Sequence, residues 1–410
     1  MIPWLKQAIG QRSALRMSYH AAKALLAAAA YGFPARNLTV IGLTGTDGKT
    51  TTCSMIRHVL TKAHYRVGLA STAFFDDGTG LQANPSHLTS ISPFVLQKLL
   101  RTMMRNGCTH AILECSSHGL VQHRLDWTFP KVAAITNTAP EHLDYHGTME
   151  LYRKDKGILF RMLHGRGTKV LNGNDETFAM YCRIASTVTL DWNSPEAREN
   201  AAALSLQIPG AFNRDNALCA MSVCSALGLD VEACKKALAT FPGVPGRMER
   251  IDEGQPFAVF VDFAVSPQSY EKALQTLREM VGESGNVIVL CSSCGNRMRE
   301  KRPEIGRICS VLADIVIATE DETYGEDPHA VLEELWAGID QAQCEAHNIF
   351  DRREAIIFAL KSAKPGDAVV FCGMGPFTTM TKLTGRVPWD ERAIVREELA
   401  AMGYASSPLP

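Results

Sequence analysis

The stretch Gly42 to Thr52 reads GLTGTDGKTTT, a composition suited to wrapping an anion. Glycines at Gly45 and Gly48 let backbone amides approach a phosphate closely, Lys49 follows to neutralise β/γ-phosphates, and the Thr50 hydroxyl suits Mg²⁺. Gly45, Thr46, Asp47, Gly48, Lys49, Thr50 and Thr51 are therefore the candidate phosphate-binding set. The stretch misses the common G-x-x-x-x-G-K-[ST] spacing, because Leu43 stands where the first glycine belongs. A plain turn opening a helix would account for the glycines and would leave the Lys-Thr-Thr run unexplained.

Two further stretches carry chemistry. Glu114 ends the apolar run His110 to Glu114 and is followed by CSSHG, and the carboxyl ends of strands are where open α/β sheets bind ligands. A carboxylate there can hold a hard cation or be an ordinary loop acid. Asn137 to Gly147, NTAPEHLDYHG, offers Glu141, His142, Asp144 and His146. Mg²⁺ prefers oxygen ligands, so this cluster taken alone suits Zn²⁺ or Mn²⁺ as readily as Mg²⁺.

These residues need a scaffold, and the hydrophobic pattern supplies one. Short apolar runs at Leu38 to Leu43, Arg66 to Thr72, His110 to Glu114, Val132 to Thr136 and Lys169 to Asn172 alternate with helical patterns. That alternation predicts a mostly parallel sheet covered on both faces, a P-loop-type doubly wound α/β domain. The helical stretch that ends at Gly228 and the punctuating FPGVPGR, Phe241 to Arg247, mark a boundary. Beyond it FAVFVDF, NVIVLC, DIVIAT and DAVVFCG predict a second, Rossmann-like α/β domain. The expected division is a short helical extension over 1–37, a central domain over 38–244 and a C-terminal domain over 245–410.

Composition narrows the function. A chain of 410 residues with 46% hydrophobic and 21% charged residues is an ordinary globular protein, and a net charge of -1 argues against a general binder of nucleic acid or anionic membranes. A small-molecule or peptide partner fits better. No apolar run reaches the ~20 residues that span a bilayer, and no signal peptide is evident. The twelve cysteines lack regular spacing and read as reduced core residues of a cytoplasmic protein. Cys291-Ser-Ser-Cys294 is the single CxxC and has no second pair to complete a zinc site.

In order, TGTDGKTTT, ECSSHGLVQHR, NTAPEHLDYHGTMELYRKDKGILF, GAFNRDNALCA, PGRME and VFVDF resemble the Mur ligase family, and within it the MurE branch. The resemblance implies an ATP-dependent amide ligase that phosphorylates a substrate carboxylate and lets an amine attack the acyl phosphate. It implies nucleotide contacts at Asn213, Asn216, Arg247 and Asp262, and a catalytic and metal set of Lys49, Thr50, Glu114, His142 and Lys156. Lys156 matches a lysine that family members carry as a carbamate, with Lys154 the nearby alternative. A carbamylated Lys156 would be an anion able to approach Mg²⁺, as an ammonium is not. Substrate contacts are implied at Ser116, Ser117, His118, Arg124, Asp321 and Glu322.

Departures from the family pattern fall outside that core. About Met1 to Asn37 precede the first strand, too few to form the separate domain with which a Mur ligase grips UDP, so a partner chain is one possible substitute. DHLDYHG has become EHLDYHG at Glu141, and DYAHTP reads DFAVSP from Asp262 to Pro267. DNPR reads DETY from Asp321 to Tyr324, and GKGHE reads GMGPF from Gly373 to Phe377. Tyr324 thus replaces an arginine that would clamp a distal carboxylate, while Asp321 and Glu322 would suit an amine-bearing amino acid. Glu320 to Asp327 reads equally as a solvated acidic loop, and Arg297, Arg299, Lys301 or Arg302 could restore positive charge. Three functions stay in view: a ligase acting on a muramyl-peptide-like acceptor, a ligase for another acceptor of the folylpolyglutamate, cyanophycin or lipid II-modifying kind, and a non-catalytic ATP-binding subunit.

Overall fold

The computed structural model describes residues 10–404 apart from residue 297. The chain divides into two compact units. The first runs to Gln207 and includes Phe212–Pro242, and the second comprises Ile208–Ala211 and the chain from Gly243 onward.

In the first unit, eight strands form one sheet: β1 (Thr39–Thr44), β2 (Val67–Ala70), β3 (Phe74–Asp76), β4 (Leu81–Ala83), β5 (His110–Glu114), β6 (Val132–Ile135), β7 (Thr168–Leu171) and β8 (Val188–Asp191). Their spatial order is β4-β3-β2-β5-β1-β6-β7-β8, parallel from β2 through β8, with β3 and β4 added as an antiparallel hairpin. The inner strands are buried along their whole length, as expected of a parallel sheet with helices on both faces. Helix Lys49–Lys62 turns Cys53, Met55, Ile56, Val59 and Leu60 inward, which is the spacing of one helix face.

The second unit holds β9 (Glu249–Ile251), β10 (Ala258–Asp262), β11 (Val287–Cys291), β12 (Ile315–Ala318), β13 (Glu345–Asn348) and β14 (Ala368–Cys372). They lie in the order β13-β12-β11-β14-β10-β9, parallel except for β9, and a separate hairpin joins β15 (Thr379–Lys382) to β16 (Gly385–Pro388). Val259, Val261, Ile288, Leu290, Ile317, Val369 and Phe371 form the sheet side of its core. The predicted apolar runs all became strands, within a residue or two of the expected ends. The hairpin β3–β4, the edge strands β8, β9 and β13, and β15–β16 carried no apolar run long enough to announce them.

All twelve cysteines are free thiols, and Cys219, Cys224, Cys234 and Cys309 are buried as expected. Cys291 ends β11, and Cys294 lies in the loop beyond it. Among the described residues no helix is long and apolar enough to cross a membrane.

Candidate active site

Strand register brings the chemistry together. Leu43 of β1 lies opposite Glu114 of β5, and Thr44 opposite Ile135 of β6, so the loop after β1 emerges between the ends of two neighbours. Side chains and backbone from the segment after β6 stitch this loop down. Thr46 N–H donates to the Asn137 carbonyl at 2.9 Å and Asp47 N–H to Asn137 Oδ1 at 3.1 Å, while the Thr136 hydroxyl donates to the Asp47 carbonyl at 2.6 Å. The loop glycines are required by space as well as conformation. A Cβ on Gly45 would fall 1.9 Å from Thr136 Oγ1, and one on Gly48 2.1 Å from Asn216 Oδ1; both have positive φ.

Gly48 is the N-cap of helix Lys49–Lys62, and no side chain caps that end. The helix terminus with its amide donors and the glycine cradle therefore fit a phosphate. Lys49 folds back to donate to the Thr46 carbonyl at 2.6 Å. Thr50 and Thr51 are buried in the first turn, and the Thr50 hydroxyl donates to Glu114 Oε2 at 3.0 Å. Glu114 is itself buried and also accepts from Thr72 N–H at 2.8 Å and the Thr72 hydroxyl at 2.9 Å. A hydroxyl and a carboxylate held together beside a phosphate cradle form an oxygen donor set of the kind Mg²⁺ takes. Asn216 faces the same turn: Thr52 donates to its Oδ1 at 3.3 Å, and its amide donates to Asn213 at 3.1 Å.

Lys156 reaches this loop from the end of helix Met149–Lys156. Its side chain is 1% exposed, and its ammonium donates to the Gly45 carbonyl at 2.6 Å and lies 4.4 Å from the Tyr152 ring centroid. Burial first, and then the Lys49 cation, push the Lys156 amine well below the usual lysine range, against the pull of Asp47, Asp175 and Glu141.

The candidate metal cluster after β6 is rearranged. Among the described residues no three His, Cys, Asp or Glu side chains converge as a metal-binding group, so the four-residue reading of Glu141, His142, Asp144 and His146 does not hold. A helical turn, Leu143–His146, separates them: Asp144 is exposed, whereas His146 is buried. His142 has a φ of 57°, lies 3.9 Å from Glu141, and meets His118 edge to face at 4.7 Å between centroids.

His146 instead belongs to a buried relay. Its Nδ1 lies 2.6 Å from Asp155 and its Nε2 3.0 Å from the Ser117 hydroxyl, and Arg12 donates to both Asp155 oxygens at 2.7 and 3.0 Å. Burial works to raise the Asp155 carboxyl, but hydrogen bonds from His146 and Arg12 outweigh it and hold it below the ordinary value. The Ser117 hydroxyl thus turns inward. Ser116 caps its helix by accepting from Gly119 N–H at 3.0 Å and shares a hydrogen bond with Ser90, while Arg124 donates to the Ser90 carbonyl at 2.7 Å and to Gln122. Ser90, Ser116, Gln122 and Arg124 therefore form one polar group.

The remaining site candidates lie in the second unit. Asp262 ends β10 and accepts from Met248 N–H at 2.7 Å, and Arg247 lies over the Phe263 ring at 4.4 Å. Asp321 and Glu322 are buried, which overturns the reading of this part of Glu320 to Asp327 as solvated loop. Asp321 accepts from Ser292 at 2.5 Å and from the Glu322 amide at 2.6 Å. Glu322 accepts from Thr381 N–H at 2.9 Å and from the Tyr324 hydroxyl. The possible replacement cations are engaged too: Arg302 with Glu326 and Glu334, Arg299 with Glu334, and Lys301 with the Val265 carbonyl. Arg297 lies outside the described residues.

Thr72, Asn137, Tyr152, Asp155 and Arg12 were missed by sequence reasoning. For Thr72 there was a signal, a hydroxyl just past a predicted strand. For Arg12 there was none, since it stands 143 residues from Asp155.

Comparison with known proteins identifies the family of the chain. Residues 43–224 match the Mur ligase middle domain, and residues 246–375 the family described as Mur ligase, glutamate ligase domain. A UDP-N-acetylmuramyl-tripeptide synthetase of Roseiflexus sp. is 37% identical over 93% of this chain and 82% of its own length. The UDP-N-acetylmuramoyl-L-alanyl-D-glutamate--2,6-diaminopimelate ligase of Geobacillus kaustophilus is 34% identical over 93% and 83%. A solved structure with the same ligase name superposes with a TM-score of 0.59 at 27% identity, covering 90% of this chain and 79% of that one. With the phosphate cradle, the Thr50–Glu114 pair and these likenesses in hand, the chain belongs to the Mur ligase family and is an ATP-dependent ligase of MurE type.

Proposed function

We propose that this ligase joins an amino acid lacking a distal carboxylate, such as lysine, ornithine or alanine, to a muramyl-peptide-like acceptor, with a carbamylated Lys156 in its active site. The observation that carries the site assignment is the convergence of Lys49, Thr50, Glu114 and Lys156 on one loop between β5, β1 and β6. Bound ATP with Mg²⁺ supplies the phosphoryl group that turns the acceptor carboxylate into an acyl phosphate. Gly45 to Gly48 and the helix end behind them would hold the phosphates, Lys49 would offset their charge, and Thr50 and Glu114 would hold the metal. Glu114 is fixed for this by Thr72, so the donor set is organised in advance. Asn213, Asn216, Arg247 and Asp262 are assigned to the nucleotide, His142 to the metal set, and Ser116, His118 and Arg124 to the acceptor.

Carbamylation needs a neutral amine, whose nitrogen forms a bond to the carbon of CO₂ and then releases a proton to solvent. Burial and the Lys49 cation favour that form at Lys156, and the product is an anion beside the metal site. Lys156→Ala should be nearly inactive, and small carboxylates such as acetate should restore part of the activity. Wild-type activity without them would remove Lys156 from the mechanism.

The amino-acid assignment rests on the second unit. The place of the clamping arginine is taken by Tyr324, whose hydroxyl is bonded to Glu322, and Arg299, Lys301 and Arg302 are held by other partners. Asp321 and Glu322 are engaged in internal hydrogen bonds, and burial raises the Asp321 carboxyl above the usual range, so the assignment rests on the missing arginine. The test is kcat/KM for lysine, ornithine, alanine and meso-diaminopimelate with one fixed acceptor. A preference for meso-diaminopimelate would overturn this assignment and leave the nucleotide site untouched.

A further inference from the structure

The helix Ala14–Ala30 buries Ala24, Ala27 and Ala28 and packs against the helix Pro93–Arg105. Its opposite face carries Leu15, Ser18, Tyr19, Ala22, Leu25, Leu26, Ala29 and Ala30, all exposed and none charged. Leu15 is 66% exposed and Leu26 64%, about three turns apart, and Tyr19 and Leu25 lie exposed between them on the same stripe. On a helical projection Arg16 and Lys23 fall along one edge of this stripe. On the partner helix Phe94 and Val95 are exposed near the start, and its charged residues, Lys98, Arg101 and Arg105, are all basic and project on the side of Phe94.

Charge is segregated as sharply as hydrophobicity. The chain has five lysines and arginines before its first acidic residue, Asp47, and neither helix contains an aspartate or glutamate. The net charge of -1 averages this away, which is why whole-chain composition argued against an anionic surface as partner. An apolar stripe edged with cations and free of acids is the pattern of a helix that lies in a membrane interface, its apolar side entering about 5–10 Å while its cations meet lipid phosphates. We propose that the exposed faces of these two helices form a docking surface for an anionic phospholipid bilayer. No span is involved. The docking segment also supplies Arg12, which grips Asp155 beside Lys156, so the surface is tied to the candidate site by one ion pair. The proposal does not depend on which amino acid the enzyme takes.

Flotation of the full chain with vesicles tests this. The wild type should rise with vesicles of phosphatidylglycerol and phosphatidylcholine and at least about ten-fold less with phosphatidylcholine alone, and added salt should weaken the binding. The double variant Leu15→Glu/Leu26→Glu should lose at least about ten-fold of the floated fraction, with unchanged ATP turnover and circular dichroism. Lys23→Glu/Lys98→Glu should weaken binding while leaving the apolar stripe in place. Absence of flotation with the anionic vesicles, or a leucine variant that floats like the wild type, would overturn the proposal. So would a dimer in light scattering that the leucine variant dissolves while vesicles bind neither protein, since the stripe would then face a second copy.

Discussion

Each unit encloses a cation, and the two are compensated differently. In the second, Arg352 is fully enclosed and donates to both oxygens of the equally enclosed Glu391 at 2.7 and 2.6 Å, and to the carbonyls of Glu320 and Cys372. Burial alone would lower the Arg352 guanidinium, but Glu391 and its hydrogen bonds raise it above the usual arginine value. In the first unit Lys156 is just as deeply buried, yet among the described residues no carboxylate forms a salt bridge with it, and its ammonium meets a loop carbonyl. A paired buried charge closes a fold. Lys169, equally buried, is satisfied by the carbonyls of Tyr181, Cys182 and Ile184, whereas Lys156 meets one carbonyl, and a buried lysine compensated so thinly beside this loop points to chemistry.

The comparison breaks first at Arg352. Arg352→Ala leaves Glu391 enclosed without its partner and should cost about 3–5 kcal/mol. Denaturant unfolding followed by a probe in the second unit reads this loss, and a cost below about 1 kcal/mol would show that the pair does not hold the unit closed. The affinity of the first unit for ATP should persist if the units unfold separately.

Lys49→Ala comes next and should behave in the reverse manner. The side chain is only partly buried and bonds to one carbonyl, so stability should change little. ATP turnover should fall at least about 100-fold, the effect of removing one preorganised donor to developing phosphate charge. Turnover at the wild-type rate would show that the loop does not serve the reaction.

The same contrast marks what the chain discloses in one dimension. The parallel strands were legible because each buried strand is a continuous apolar run, and the loop and Glu114 because both directly follow such a run. β4 is wholly exposed and β13 reads EAHN, so nothing in their composition separates them from loop. Thr72 reaches Glu114 only because β2 lies next to β5 in the sheet, a neighbour relation set by the crossover. The acids after β12 were legible as acids. Their direction was not: Asp321 and Glu322 turn into the second unit because Ser292 and backbone amides receive them.

The last and smallest effect concerns pH. The folded Lys156 has a pKa below the ordinary 10.5, so over the interval between the two values the unfolded chain holds a proton that the folded chain lacks. Stability must therefore rise with pH across that interval, by up to about 1.4 kcal/mol per unit from this one group. Below the folded pKa the native state carries an enclosed ammonium and its full penalty. Lys156→Met keeps the length of the side chain and removes the titration. In bicarbonate-free buffer, where a carbamate does not form, the variant should be at least as stable as the wild type near neutrality, and the wild type should gain on it as pH climbs toward 10.5. Arg352 offers no such titration, because its raised pKa keeps it charged throughout. Parallel stability curves for Lys156→Met and the wild type over that range would mean that Lys156 is as well compensated as Arg352, and the distinction between the two buried cations would fall.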